Sequence, residues 1–137
     1  MNQPFHVAHG VSYTPLGAHR GPPTQVKTVW TINVRNEVET FSAAYGLGWA
    51  VGGIGWGLSQ LKTKRLAQLG VNHHKEALMF AKYVDAPGVG DWHGYPADYR
   101  RNPQDRPSTR IMRHWCGLNI MEKHQMGKVS KGQACSL

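Results

Sequence analysis

The chain has 137 residues, of which 40% are hydrophobic and 18% are charged. This length is typical of one domain, and the apolar content excludes a wholly disordered chain. Lysine and arginine number 16 against 8 aspartate and glutamate, which gives a formal net charge of +8. Such an excess on one domain is typical of proteins that bind polyanions, although net charge bears on solubility and steering rather than on fold.

The cysteines and histidines bear on compartment and on metal binding. The chain has two cysteines, Cys116 and Cys135, and its N-terminus lacks a charged segment followed by an apolar run. Both features favour a reducing cytoplasm. The eight histidines fall into no spacing typical of metal ligands. We therefore predict a cytoplasmic protein with no cofactor and no metal site; a metal held by histidines distant in the sequence is the alternative.

The first half of the chain predicts strands. Residues 1–24 are rich in proline, glycine and histidine without periodicity, which predicts an irregular N-terminal arm before a single α+β domain of residues 25–137. Residues 25–35 alternate apolar and polar side chains, as a β-strand does. Asn36-Glu37 is then a turn, and a second strand begins near Val38 and includes Phe41.

Residues 45–59, YGLGWAVGGIGWGLS, predict a β-hairpin. Bulky and small residues alternate on both sides of Gly52-Gly53, and glycine tolerates the positive φ of two-residue hairpin turns. One face would be aromatic and the other almost bare backbone. Residues 41–61 have no charge and also permit a membrane-spanning helix, but their glycines and their alternation favour the hairpin. The predicted pairs are Val51 with Ile54, Trp49 with Trp56, and Leu47 with Leu58.

The second half predicts helices around a loop. Residues 59–69 have the pattern of an amphipathic helix that ends at Gly70. Asn72 would cap a second helix over residues 73–85, with a buried strand at ALMFAKYV as the alternative. Further helices are predicted from Pro107-Ser108 through Cys116 and over residues 120–127, capped by Asn119. The predicted fold is α+β: a small antiparallel sheet (residues 25–58) covered by short helices, a long ordered loop (86–107) and a C-terminal helical hairpin.

The stretch GDWHGYPADYRRNPQDRP, residues 90–107, has the strongest candidates for chemistry. Its prolines stiffen the chain and its aromatic residues provide apolar anchors, which predicts an ordered loop. Gly94 would allow an unusual backbone angle beside His93. A histidine is suited to proton transfer near neutral pH, and Asp91 or Asp98 could orient this one. A purely structural loop is the alternative. The candidate catalytic residues are His93, Asp91, Tyr95 and Asp98, with His73-His74 as a second histidine site.

The basic side chains are candidates for phosphate binding, since the planar guanidinium of arginine suits phosphate. Residues 108–132 also have the outline of a helix-turn-helix, for which a plain helical hairpin is the alternative. The predicted nucleic-acid-binding residues are Lys62, Lys64, Arg65, Arg100, Arg101, Arg106, Arg110 and Arg113.

Two classes of function are compatible with these features. The leading hypothesis is a nucleic-acid-binding protein, with single-stranded RNA favoured over DNA, in which exposed tryptophans and tyrosines stack on bases. It includes a metal-independent ribonuclease-like activity around His93, and leaves open whether the protein is an enzyme. The competing hypothesis is a protein-interaction module, such as a small toxin, immunity or phage-type accessory protein, which uses the glycine face of the hairpin for assembly. Neither predicts a membrane partner or an oligomeric state.

Overall fold

The computed structural model describes residues 3–85 and 87–137, which form two β-sheets and three α-helices, so the predicted α+β class is confirmed. The strands are β1 (Phe5–Ala8), β2 (Val11–Tyr13), β3 (Val29–Trp30), β4 (Ala50–Val51), β5 (Ile54–Gly57), β6 (Gly70–Val71), β7 (Ala77–Leu78), β8 (Phe80–Val84) and β9 (Asp91–Ala97). The helices are α1 (Val34–Gly46), α2 (Thr109–Gly117) and α3 (Lys123–Ser130), with short 3-10 helices at Gly17–His19 and Pro103–Asp105.

The larger sheet has six strands in the order β1-β2-β9-β8-β5-β4. The pairing of β2 with β9 is parallel and the other pairings are antiparallel. A second, antiparallel sheet has the order β3-β6-β7. The strand β9 lies inside the larger sheet, so the stretch 90–107 contributes a central strand to the fold.

The prediction of a loop over residues 86–107 is therefore wrong for its first half. The strand β9 pairs with β8 along residues 93–97 and with β2 at residues 91–92. Its buried face presents Trp92, Gly94 and Pro96. Because two of these residues have no large apolar side chain, the alternation of a strand was not visible in the sequence. The φ of Gly94 is not positive, so the glycine is required for space and not for an unusual backbone angle.

Residues 25–46 also differ from the prediction. Only Val29 and Trp30 form a strand, and the supposed turn at Asn36-Glu37 is the first turn of α1. The side chain of Asn33 accepts a hydrogen bond from the amide of Asn36 at 2.8 Å, which caps the helix. The residues of α1 that are buried are Glu37, Thr40, Phe41 and Ala44, and their spacing is helical.

The two helices predicted between residues 59 and 85 do not form. In residues 59–69 the backbone bonds elsewhere: the amide of Leu66 donates to the carbonyl of Leu137 at 3.0 Å. Residues 77–84 form β7 and β8, so the strand alternative is correct. Asn72 acts as a turn residue, because its carboxamide oxygen accepts from the amides of His74 and Glu76.

The hairpin is confirmed in its turn and in the first predicted pair. Gly52 and Gly53 have φ of 71° and 86°, and Val51 lies opposite Ile54. The amide of Trp56 donates to the carbonyl of residue 49, which keeps the predicted register one pair further. The third pair is wrong because Leu47 follows the end of α1.

Two predictions for the N-terminal and C-terminal segments are corrected by the structure. The N-terminal segment is not an irregular arm, since β1 and β2 join the larger sheet and Tyr13 is fully buried. At the C-terminal end, α2 begins as predicted because the hydroxyl of Ser108 accepts from the amide of Ile111. The last helix begins three residues later than expected, with a capping box between Glu122 and Gln125. The helices α2 and α3 contact each other.

An aromatic core lies between α1 and the buried face of the larger sheet. The ring of Phe41 stacks on Tyr13, with centroids 4.9 Å apart, and meets Tyr83 and Trp92 at 5.0 and 5.6 Å. The carboxylate of Glu37 is fully buried there, and receives the hydroxyl of Tyr13 and the guanidinium of Arg20. This packing assigns one face of β9 to the core and leaves the other face for polar residues.

Candidate functional site

The polar face of β9 consists of Asp91, His93 and Tyr95. Side chains alternate along a strand, and these three are half-buried whereas the residues between them are buried. The structure therefore brings three of the four predicted catalytic residues onto one surface. The fourth, Asp98, lies just beyond the end of the strand.

His93 and Asp91 lie next to each other at the start of this face. The Nδ1 atom of His93 lies 3.0 Å from the carbonyl oxygen of Thr14. A carbonyl only accepts hydrogen bonds, so Nδ1 has the proton of the neutral ring and Nε2 is unprotonated. That nitrogen lies 3.7 Å from Oδ2 of Asp91, whose Oδ1 accepts from the hydroxyl of Thr14 at 2.8 Å. Both side chains are exposed to solvent, His93 by 36%.

Tyr95 is tied to a buried carboxylate. Its hydroxyl donates to Oδ1 of Asp105 at 2.7 Å, and Oδ2 of Asp105 accepts from the amide of Asp98 at 3.0 Å. Burial, and then the carboxylate of Asp105, raise the pKa of Tyr95. The phenol thus stays protonated and acts as a donor. The sequence indicated no role for Asp105, which is one of three aspartates in a stretch without clear periodicity.

The sequence offered Asp98 as one of two residues that could orient His93, but the structure does not place it there. It is buried, and its Oδ2 accepts a hydrogen bond from the side-chain amide of Asn72 at 2.9 Å. Of the two aspartates considered for that role, Asp91 lies against His93. Asp98 instead joins the end of β9 to the turn after β6.

A cleft of about 390 Å³ opens beside Tyr95 and Asp98. Its walls are the segment 24–28, the turn 72–74, the end of β9 and the segment 101–105. Three histidines line it, together with the cationic residues Lys27 and Arg101. His93 and Asp91 do not line this cleft. The polar face of β9 is therefore divided: Tyr95 belongs to the cleft, whereas the other two residues lie outside it. The three histidines are His19, His73 and His74.

His19 is the functional candidate that the sequence did not reveal. Its Nδ1 lies 2.9 Å from the carbonyl oxygen of Thr28, so the proton of the neutral ring is on Nδ1. Its ring stacks on Tyr95, with centroids 5.5 Å apart and planes 20° apart. Its Nε2 has no hydrogen-bond partner within residues 3–85 and 87–137. The sequence placed His19 in a segment without periodicity, so no local pattern connected it with Tyr95.

The predicted phosphate-binding arginines divide into engaged and free side chains. Arg100 and Arg101 both bind Glu76, at 3.1 and 3.0 Å. The hydrogen bond from Arg101 is the largest cause that lowers the pKa of Glu76 from 4.5 to about 2. Arg106 is engaged by the backbone, since its Nε donates to the carbonyl of Tyr99 at 2.9 Å.

Five cations lie on or directly after the last two helices, and we call them the α2–α3 basic surface. All are exposed, and none makes an ion pair within the described residues. Lys62 and Lys64 are also exposed and unpaired, and Arg65 donates to the hydroxyl of Ser136. The α2–α3 basic surface consists of Arg110, Arg113, Lys123, Lys128 and Lys131.

The tryptophans and part of the glycine face, which the sequence predicted to be binding surfaces, are buried. All five tryptophans are buried, so none can stack on a bound base. On the glycine face of β5, a Cβ at Gly57 would lie 2.8 Å from the ring of Tyr83 and 3.3 Å from the Cβ of Ala44. That part of the glycine face is thus covered by the chain itself.

Three further searches, for metal-ligand groups, for membrane-spanning helices and for similar proteins, identify no additional site. In residues 3–85 and 87–137, no three histidine, cysteine, aspartate or glutamate side chains are grouped so as to hold a metal ion. No helix in that part of the chain has the length and apolar character needed to cross a membrane. Comparison with protein-family models, curated proteins and solved structures gave no match. The cleft and the distribution of charge are therefore the features from which a function can be inferred.

Proposed function

We propose that the protein binds single-stranded nucleic acid, RNA in preference to DNA, through the α2–α3 basic surface. The observation that supports this proposal is the concentration of unpaired cations on two adjacent helices. Residues 108–137 contain five cationic side chains and one acidic side chain, Glu122, a net charge of +4 that is half of the chain's +8. Phosphate contacts by lysine and arginine supply most of the affinity in such complexes.

Several arginines elsewhere contrast with this surface because they already bind a carboxylate. Arg20 binds the buried Glu37, Arg35 lies 3.5 Å from Glu39, and Arg100 binds Glu76. A guanidinium that already has a carboxylate partner gains less from a phosphate, because the existing pair must first be broken. The cations of the α2–α3 basic surface have no such pair to break within the described residues.

The cleft beside Tyr95 lies close to this surface along the chain. Asp105 lines the cleft and Arg110 belongs to α2, and five residues span at most about 18 Å. An oligonucleotide bound on α2 can therefore reach the cleft. Unstacked bases of a single strand can stack on the accessible rings there, and RNA also offers a 2′-hydroxyl to the polar walls.

Fluorescence anisotropy with a short fluorescein-labelled oligouridylate, and with its deoxy equivalent, tests the proposal over a range of salt concentrations. We expect the logarithm of the affinity to fall linearly with the logarithm of salt concentration. The double variant R110A/R113A should reduce the magnitude of that slope by about 1.4, or about 0.7 for each lost phosphate contact on a single strand.

The matched control is R113A against R35A, two exposed helical arginines whose removal changes the net charge equally. R113A should weaken binding and R35A should not. Equal effects of the two variants would show that binding does not depend on the α2–α3 basic surface. No binding at low salt would overturn the proposal and return attention to a protein partner.

A further inference from the structure

The cleft beside Tyr95 has an imidazole in a fixed orientation. The Nδ1 atom of His19 donates to the carbonyl of Thr28, and the ring rests on Tyr95, which is itself held by Asp105. The unprotonated Nε2 has no partner in the described part of the chain and belongs to a side chain that lines the cleft. An imidazole held in this way is suited to accept a proton from a bound ligand.

The other walls of the cleft provide complementary groups. His73 and His74 are exposed on the turn after β6, with ring centroids 5.3 Å apart. The turn is fixed by Asn72, whose side chain accepts from the amide of His74 at 3.0 Å. Lys27 is exposed on the segment 24–28. The cleft thus combines a base, two further imidazoles and a free ammonium group.

The remaining ionisable groups of the cleft are already engaged. Asp98 and Asp105 are buried and accept hydrogen bonds from Asn72 and Tyr95 respectively. Tyr95 has a raised pKa and donates a hydrogen bond to Asp105, so it stays protonated and is no nucleophile near neutral pH. Arg101 is held by Glu76. By elimination, proton transfer in this cleft depends on the histidines, and phosphate binding depends on Lys27.

We infer that this cleft cleaves RNA without a metal ion, with His19 as the general base, an inference that rests on the RNA binding proposed above. Nε2 of His19 takes the proton of a 2′-hydroxyl, and the 2′-oxygen attacks the adjacent phosphorus. The bond from phosphorus to the 5′-oxygen breaks, and that oxygen takes a proton from a histidinium of the 73–74 pair. The ammonium of Lys27 stabilises the charge on the phosphoryl oxygens. The products are a 2′,3′-cyclic phosphate and a 5′-hydroxyl.

The test is incubation of the protein with fluorescein-labelled oligouridylate in EDTA, with products separated on a denaturing gel and the cyclic phosphate identified by mass spectrometry. The wild-type chain should cleave RNA and leave the deoxy oligonucleotide intact. H19A should lower the cleavage rate at least about 100-fold, the usual contribution of a general base, while its anisotropy-measured affinity changes less than about twofold. H19Q serves as a second variant if H19A does not fold.

Three comparison variants locate the chemistry. H9A, which removes an exposed histidine of the β1–β2 turn, should cleave as the wild type does. The double variant H73A/H74A should slow cleavage, and full activity in it would exclude the assigned acid. If H93A abolishes cleavage and H19A does not, the site is the His93–Asp91 pair and the inference is wrong. Binding without cleavage by the wild type overturns the inference alone, whereas no binding overturns the proposed function as well.

Discussion

The two faces of β9 have different surroundings. Trp92 and Gly94 face the aromatic core, where a Cβ at Gly94 would lie 2.5 Å from Cδ1 of Tyr83 and 2.8 Å from the hydroxyl of Tyr13. On the other face, the His93 side chain is 36% exposed, and within the described residues it makes one hydrogen bond, to the carbonyl of Thr14. One strand thus separates packing from candidate chemistry, with a period of two residues. Substitutions on the two faces should therefore differ in their effect on stability.

The largest effect is expected at Trp92. The side chain is 5% exposed and its ring meets Phe41, so Trp92→Ala removes a large apolar group from the core and leaves a cavity. We expect the free energy of unfolding in urea to fall by about 3–5 kcal/mol. A loss below about 1 kcal/mol would show that the buried face of β9 contributes little to the core.

Removing one tyrosine hydroxyl on each face should give opposite results. Tyr95→Phe deprives the buried carboxylate of Asp105 of a donor and should cost about 1.5–3 kcal/mol. Tyr83 is fully buried against Gly94, and its hydroxyl has no partner in the described residues. Tyr83→Phe should therefore be neutral or stabilise the fold. Urea denaturation of both variants measures the difference, and equal losses would contradict the division of the faces.

These tyrosines also predict how stability depends on pH. Burial is the first cause that raises the pKa of Tyr13, Tyr83 and Tyr95, and the carboxylates of Glu37 or Asp105 add to it. The unfolded chain ionises its tyrosines near pH 10, so above that pH proton release favours unfolding. Stability should fall from pH 10 upward, by at most about 1.4 kcal/mol per pH unit for each tyrosine. The fall should be shallower in Tyr83→Phe, which thermal denaturation between pH 9 and 11 can measure.

Two glycine substitutions separate a packing role from a backbone role. Gly94→Ala places a methyl group against Tyr83 and Tyr13 and should cost about 1–3 kcal/mol. Gly117→Ala, at the end of α2, has open space around the new Cβ and should be neutral or stabilising by up to about 1 kcal/mol. An unchanged free energy of unfolding in Gly94→Ala would show that the close approach of β8 and β9 does not require glycine at this position.

Local sequence patterns predicted the elements whose cause is local. Gly52-Gly53 determines its own turn, and Ser108 caps α2 through its own side chain. The strand β9 was missed because Gly94 and Pro96 fill buried positions that depend on neighbouring strands. The helix α1 was missed because Trp30, Ile32 and Val34 alternate across its start, although only the first is in a strand.

The site was predicted only in part for the same reason. Asp91, His93 and Tyr95 are near each other in the sequence, so their shared stretch was visible. His19 meets Tyr95 through a contact between distant segments, and no spacing in the sequence encodes it. The engagement of Arg100 by Glu76 is equally a product of the fold. Net charge alone could not distinguish such an arginine from a free one.

Of the four substitutions on β9, His93→Ala should have the smallest effect on stability, which makes it the strictest test of the comparison. The side chain is partly exposed, its Nδ1 donates one hydrogen bond to Thr14, and its Nε2 lies 3.7 Å from Asp91. Surface substitutions of this kind usually change stability by about 0.5 kcal/mol or less, so His93→Ala should melt close to the wild-type temperature.

Trp92→Ala, one position away, is the contrasting variant. A loss of more than about 2 kcal/mol in His93→Ala would mean that the polar face of β9 also stabilises the fold. A small loss would leave His93 free for binding or catalysis, which the oligouridylate assays then measure directly.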